Sequence, residues 1–75
     1  MVKLQAQRLK AGLSQSKLAA ASGIPCRTIQ QYECRQRNID SANLSTLCSL
    51  ADACCCLVYD ILESPELIEK LKNVT

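Results

Sequence analysis

The sequence predicts an all-α protein, a compact bundle of five short helices followed by a short helical tail. Three observations point there. The chain has 75 residues, 48% of them hydrophobic, yet no Trp or Phe, so its core must come from Leu, Ile, Ala, Val, Tyr and buried Cys. Its apolar residues recur at helical spacing rather than in the strict alternation of a half-buried strand. Helix punctuation also repeats: Ser14, Asn43 and Ser64 each precede a periodic stretch, while Gly12 and Gly23 each follow one. At this length the chain is one domain, close to the lower limit for a core that folds unaided.

Val2 to Ala11 reads as the first helix, with Leu4 and Leu9 inward and Lys3, Arg8 and Lys10 largely outward. Gly12 ends it, Leu13 plugs the core, and Ser14 caps the next helix by accepting a backbone N–H bond. Gln15 to Ser22 places Leu18, Ala19 and Ala21 among polar neighbours. Gly23 stops it, because a residue just past a helix end often needs φ > 0. Ile24 returns toward the core, and Pro25 presets φ for the first turn of a new helix. That helix, Cys26 to Cys34, carries Ile29 and Tyr32 on one side and Arg27, Gln30 and Gln31 on others. Ala19 lies where the two helices cross most closely, and its small side chain lets the backbones approach. Two helices at a steep angle about a glycine turn, the second with a polar and basic face, form the helix-turn-helix signature.

The loop from Arg35 to Asp40 is rich in charge and punctuated by Asn38 and Asp40. Asn43 or Ser41 caps the fourth helix, whose apolar face is Leu44, Leu47, Leu50 and Ala51, with Cys48 and Cys54 as further candidates. Leu57 to Leu62 reads as a fifth helix closing the bundle through Leu57, Ile61 and Leu62. Ser64 and Pro65 restart the chain as cap and first helical residue, with Leu67, Ile68 and Leu71 as an apolar stripe. The stripe has two open uses, packing on its own domain or a dimer contact. The division expected is a domain over 1–63, with its motif at 15–34, and a tail over 64–75.

Within this pattern, GLSQ at Gly12 to Gln15, Leu18-Ala19, Ser22-Gly23-Ile24, Thr28-Ile29 and Glu33 stand in one register. The chain resembles the Cro/CI-type helix-turn-helix family, the lambda-repressor-like and xenobiotic-response-element-like regulators, from about Leu4 to Leu62. The resemblance implies a compact five-helix DNA-binding domain, and it implies that Arg8 on the first helix pairs with Glu33. The chain departs from the family in two places. Cys34-Arg35 stands where relatives often carry Asn-Gly, so the end of the second motif helix lacks its left-handed glycine. Cys55 and Cys56 stand where relatives have a Gly/Asn-Cys-Ser connection.

The net charge of +2 conceals an asymmetry. Met1 to Asn38 holds seven basic residues and one acid, whereas Ile39 to Thr75 holds two lysines and six acids. A basic half containing the motif is the footprint of a polyanion-binding face. The helix from Cys26 presents its N-terminal turns to a major groove. With Ile29 and Tyr32 turned inward, Arg27, Thr28, Gln30 and Gln31 are left as candidates. Arg27 and Gln31 share a face and suit guanine and adenine edges respectively. Thr28 and Cys26 lie beside them, Cys26 offering an apolar contact. Gln15 and Ser16, at the start of a helix whose dipole favours anions, and Lys10, Lys17, Arg35 and Arg37 are the phosphate candidates.

Other functions find little support. There is no His, no Gly-rich phosphate loop and no pair of carboxylates suited to a cleft, so neither an enzyme nor a cofactor is expected. Three consecutive cysteines, Cys54 to Cys56, cannot converge on one tetrahedral ion without a special loop, so they read as core fillers and no metal is expected. No apolar run spans a bilayer, no signal pattern opens the chain, and the cysteine pattern fits a reducing compartment, so the expected location is cytoplasmic. The function expected is sequence-specific binding of double-stranded DNA by a homodimeric transcriptional repressor. The alternative is an antitoxin that binds a toxin protein and autoregulates its operon.

Overall fold

In the computed structural model, which describes residues 1–74, the chain forms five α-helices and no strand among those residues. They are α1 (Lys3–Lys10), α2 (Gln15–Ser22), α3 (Cys26–Glu33), α4 (Leu44–Ala53) and α5 (Pro65–Val74). Two single 3₁₀ turns, Ile39–Ser41 and Val58–Asp60, lie between them. Helix α2 packs against both α3 and α4, and α1 lies against α3. One fully buried residue from each of the first four helices, Leu4, Leu18, Ile29 and Leu50, meets Ile61 and Leu62 at the centre. Tyr32, Leu47, Ala51 and Cys54 complete the core.

The caps form as the sequence implies. Ser14 Oγ accepts from Lys17 N at 3.1 Å, Asn43 Oδ1 from Thr46 N at 2.8 Å and Ser64 Oγ from Leu67 N at 3.4 Å. Each satisfies one of the amides a helix start leaves without an internal partner. Gly23 takes φ +73 at the end of α2, and its N–H reaches Ala19 O at 2.9 Å. Pro25 sits one residue before α3 at the cap, with ψ 138, rather than inside its first turn. Its carbonyl accepts from Thr28 N and Ile29 N.

Several orientations differ from the sequence reading. Leu9 is 50% exposed, and Arg8, expected outward, is buried in its place. Arg8 follows Leu4 by one helical turn and so shares its inward face, which leaves Leu9 on the flank. On α4, Leu44 and Cys48 are exposed while Leu47, Leu50, Ala51 and Cys54 turn inward. The inward stripe is the narrower one, and Leu44 belongs to the opposite edge.

The segment expected as a helix over 57–62 is only the 3₁₀ turn, so the fifth α-helix is the C-terminal one. Asp60 Oδ2 accepts from Leu57 N at 3.0 Å and closes that turn on itself. Leu57 is left 55% exposed, while Ile61 and Leu62 are fully buried. The α5 stripe Leu67, Ile68 and Leu71 is partly buried against the domain's own core.

Two long-range contacts tie the chain's C-terminal part to its start. Lys3 N donates to Glu63 Oε2 at 2.7 Å, giving α1 an acceptor at its N-terminus. Asp40 Oδ1 accepts from both Glu63 N (2.9 Å) and Ser64 N (3.2 Å). The loop after α3 is anchored by Ile39, which is 5% exposed and part of the core.

Candidate nucleic-acid interface

Glu33, at the end of α3, collects donors from two parts of the chain, α1 and the start of α2. Arg8 Nε donates to its Oε2 at 2.8 Å and Arg8 Nη2 to its Oε1 at 3.0 Å, a two-pronged guanidinium–carboxylate pair. Gln15 Nε2, at the start of α2, adds a bond to Oε1 at 3.1 Å. Arg8 Nη1 donates to Leu13 O at 2.8 Å, in the turn between α1 and α2. The two charged side chains are 9% and 4% exposed. The hydrogen bond to Glu33 raises the Arg8 pKa against the opposing effect of burial, so the guanidinium keeps its charge although buried. One carboxylate thus fixes α3 relative to α1 and to the N-terminus of α2. The sequence reading placed Gln15 at the interface without this bond, which depends on a proximity no local pattern encodes.

Helix α3 buries Ile29 and Tyr32 completely or nearly so. Arg27 is exposed, Cys26, Thr28 and Gln31 are half-buried, and Gln30 is exposed with its Nε2 3.8 Å from Cys26 Sγ. Arg27 has no side-chain partner among the described residues, leaving its guanidinium open to solvent four residues from Gln31. Ser16 and Lys17 are exposed on the first turn of α2.

Beyond α3 the chain turns on Arg35, which takes φ +62. Arg35 N donates to Tyr32 O and Gln36 N to Gln31 O, so the helix ends in a Schellman motif without glycine. Arg35 and Arg37 border one hollow, beside Tyr32 and Asn38. Arg37 and Asn38 also border a second hollow, at the start of α4, with Ser41, Asn43 and Thr46. Lys10 is not with them. It borders a separate hollow with Cys54, Cys55, Cys56 and Asp60.

The cysteines are all free. No group of three or more Cys, Asp or Glu among the described residues is arranged to hold a metal ion. Burial raises the Cys54 pKa and pushes that of Cys56 to about 11, so both stay protonated and unreactive at neutral pH.

The model of a family described as helix-turn-helix matches residues 4–53, from within α1 to the end of α4. The chain belongs to that family. No curated protein and no solved structure matches the chain. As a Cro/CI-type helix-turn-helix protein, it is a DNA-binding transcriptional regulator. Among the described residues, no helix is long and apolar enough to cross a membrane.

Proposed function

We propose that this helix-turn-helix protein is a cytoplasmic repressor that binds duplex DNA sequence-specifically as a homodimer, with α3 in the major groove. The observation that carries the reading is the outer face of α3. Ile29 and Tyr32 anchor the helix in the core, while Arg27 has no partner among the described residues and is one helical turn from Gln31. Arg27 reads guanine and Gln31 adenine through the paired acceptor and donor edges those bases display in the major groove. Thr28 and Cys26 lie against the neighbouring bases, Cys26 through an apolar contact with a thymine methyl.

Phosphates are held by the exposed start of α2 at Ser16 and Lys17, by Gln15, and by Arg35 and Arg37 beyond α3, with Lys10 contributing from the flank. The polar hollow at the α4 cap, lined by Arg37, Ser41, Asn43 and Thr46, supports a further phosphate seat. The Glu33 network supplies the rigidity a readout helix needs, since an angular error at its base would move Arg27 off its base edge.

One α3 covers a short half-site, so two copies about one DNA turn apart supply the specificity. The exposed side chains of Leu44, Cys48 and Leu57 support a dimer surface on the α4 side. Cys48 and Leu57 border the same shallow cleft there.

Selecting bound sequences from a random duplex pool tests the reading in one experiment. The expected result is a two-fold symmetric site with affinity that falls steeply with salt, each neutralised phosphate adding about −0.9 to the log–log slope. On that site Arg27→Ala should cost about 1–3 kcal/mol and relax preference at a single base position. A uniform loss across all single-base variants would make Arg27 a phosphate anchor instead. Enrichment of no sequence, together with a small protein that co-purifies, would favour the antitoxin reading.

A further inference from the structure

The hollow that Arg35 and Arg37 border has a construction that phosphate anchoring does not require. Its volume is about 300 Å³, at the lower end of small-molecule pockets. Its floor is apolar: Val2, Leu4 and Ile39, each no more than 6% exposed. Tyr32 lies beside them, itself 6% exposed, and its hydroxyl has no hydrogen-bond partner among the described residues. No side-chain polar atom there is both sealed from solvent and unpartnered, so the phenol oxygen meets solvent, on a side chain that borders both this hollow and the one at the α4 cap.

The charges around the rim are not equivalent. Asp40 and Glu63 stand on the same hollow, but both accept backbone amides: Asp40 from Glu63 and Ser64, Glu63 from Lys3. The guanidiniums of Arg35 and Arg37 have no partner among the described residues. Arg35 is held at this rim in a left-handed backbone conformation that disfavours any side chain. An apolar floor and two guanidiniums without a partner among the described residues match an anion with a hydrophobic body, because arginine forks bind carboxylate and phosphate alike.

We propose that this hollow binds a small organic anion, an apolar body on a carboxylate or phosphate head, and that its occupancy withdraws Arg35 and Arg37 from DNA. The second half rests on the DNA-binding reading above, since it requires those arginines to hold phosphates in the complex. The coupling is reciprocal: an anion that lowers DNA affinity is itself bound less well by the DNA complex.

The probe is phenyl phosphate, compared with inorganic phosphate and phenol as its two halves and with benzoate as the carboxylate form. Methyl and amide NMR titrations of the full chain without DNA should give saturable binding of phenyl phosphate, with methyl shifts at Val2, Leu4 and Ile39. Its affinity should exceed that of either half by about tenfold, the increment expected from burying the ring in addition to pairing the head. Arg35→Gly removes one guanidinium while relieving the backbone, so it remains folded and should bind phenyl phosphate about tenfold more weakly. Arg37→Gln should do the same.

Equal affinity for inorganic phosphate and phenyl phosphate, unmoved methyls, or wild-type binding by both variants would overturn the pocket. Benzoate matching phenyl phosphate would assign a carboxylate as an equally good head, whereas phenyl phosphate alone would assign phosphate. In the second arm, duplex binding is followed by anisotropy at fixed ionic strength. Phenyl phosphate should release DNA at concentrations where inorganic phosphate does not, and unchanged DNA affinity with the hollow filled would overturn the coupling. If the chain binds no duplex at all, the DNA reading fails, and the methyl titration still decides the pocket by itself.

Discussion

Helices α1 and α2 end on glycines, whereas α3 and α4 end in the same backbone geometry on Arg35 and Cys55. Gly12 and Gly23 take φ +75 and +73; Arg35 and Cys55 take +62 and +56. Three of these ends, at Gly12, Arg35 and Cys55, are Schellman motifs with matching pairs of hydrogen bonds. Hydrogen bonding alone therefore imposes the turn whatever residue occupies it. The residue decides only the conformational cost, and glycine is the one for which it is small. At Arg35 the cost coincides with a guanidinium on the proposed DNA face and on the anion hollow. At Cys55 nothing in the structure explains it.

The largest disruption of the glycine-ended half should come from Arg8. Its guanidinium donates to Leu13 O while Leu13 N donates to Arg8 O, so one residue closes the α1 end from both its side chain and its backbone. Arg8→Met also leaves Glu33 buried with only Gln15 to meet it. Urea denaturation should register a loss of about 3–5 kcal/mol. A loss below about 1 kcal/mol would mean the pair behaves as an exposed one.

Reversing the comparison gives effects of the next size. Gly12→Ala and Gly23→Ala should each cost about 1 kcal/mol or more, and the cause can only be backbone conformation, since an added Cβ would meet nothing within 4 Å. Arg35→Gly and Cys55→Gly should instead each stabilise by about 1 kcal/mol, read as a higher denaturation midpoint at unchanged slope. The two gains should then part company on DNA. Arg35→Gly should lower affinity and reduce the salt slope by about 0.9, whereas Cys55→Gly should leave both unchanged. An unaltered DNA slope in Arg35→Gly would remove Arg35 from the interface.

The smallest effect lies in the cysteines that close α4. The Cys56 thiol is pushed up to about 11 by burial, and Cys54 is raised by the same cause. The folded state therefore holds protons that the unfolded chain, titrating near 8.5, has already lost. The Cys56 contribution to stability is intact below about pH 8.5 and is lost as pH rises toward 11, and that of Cys54 falls in the same direction. Cys56→Ala should flatten that alkaline decline relative to the parent in paired thermal melts. Parallel pH profiles would show that the thiol titrates alike in both states.

Local signals were legible residue by residue. Ser14 and Ser64 could be named as caps, and Asn43 as one of two candidates beside Ser41, because a cap needs only its own next few amides. Gly23 could be named as a turn because the αL requirement is local. Leu18, Ile29, Leu47 and Leu50 could be placed inward by spacing. Leu9, Leu44 and Leu57 could not be excluded from the core by the same rule. Each is apolar and near the right phase, and only the width of the neighbouring surface determines which edge of a stripe is covered.

The sequence by itself determined the helical class, the motif at 15–34, the basic half that contains it, and the residues free to face outward from α3. Those follow from periodicity, capping chemistry and charge, which act over a few residues. Tertiary structure alone decided that Arg8 is buried, that Gln15 joins Glu33, that Asp40 and Glu63 tie the C-terminal part to the start, and that Arg35 accepts a left-handed backbone. Each depends on groups distant in sequence meeting in a space of low dielectric, where an unpaired charge or amide costs more than a strained φ.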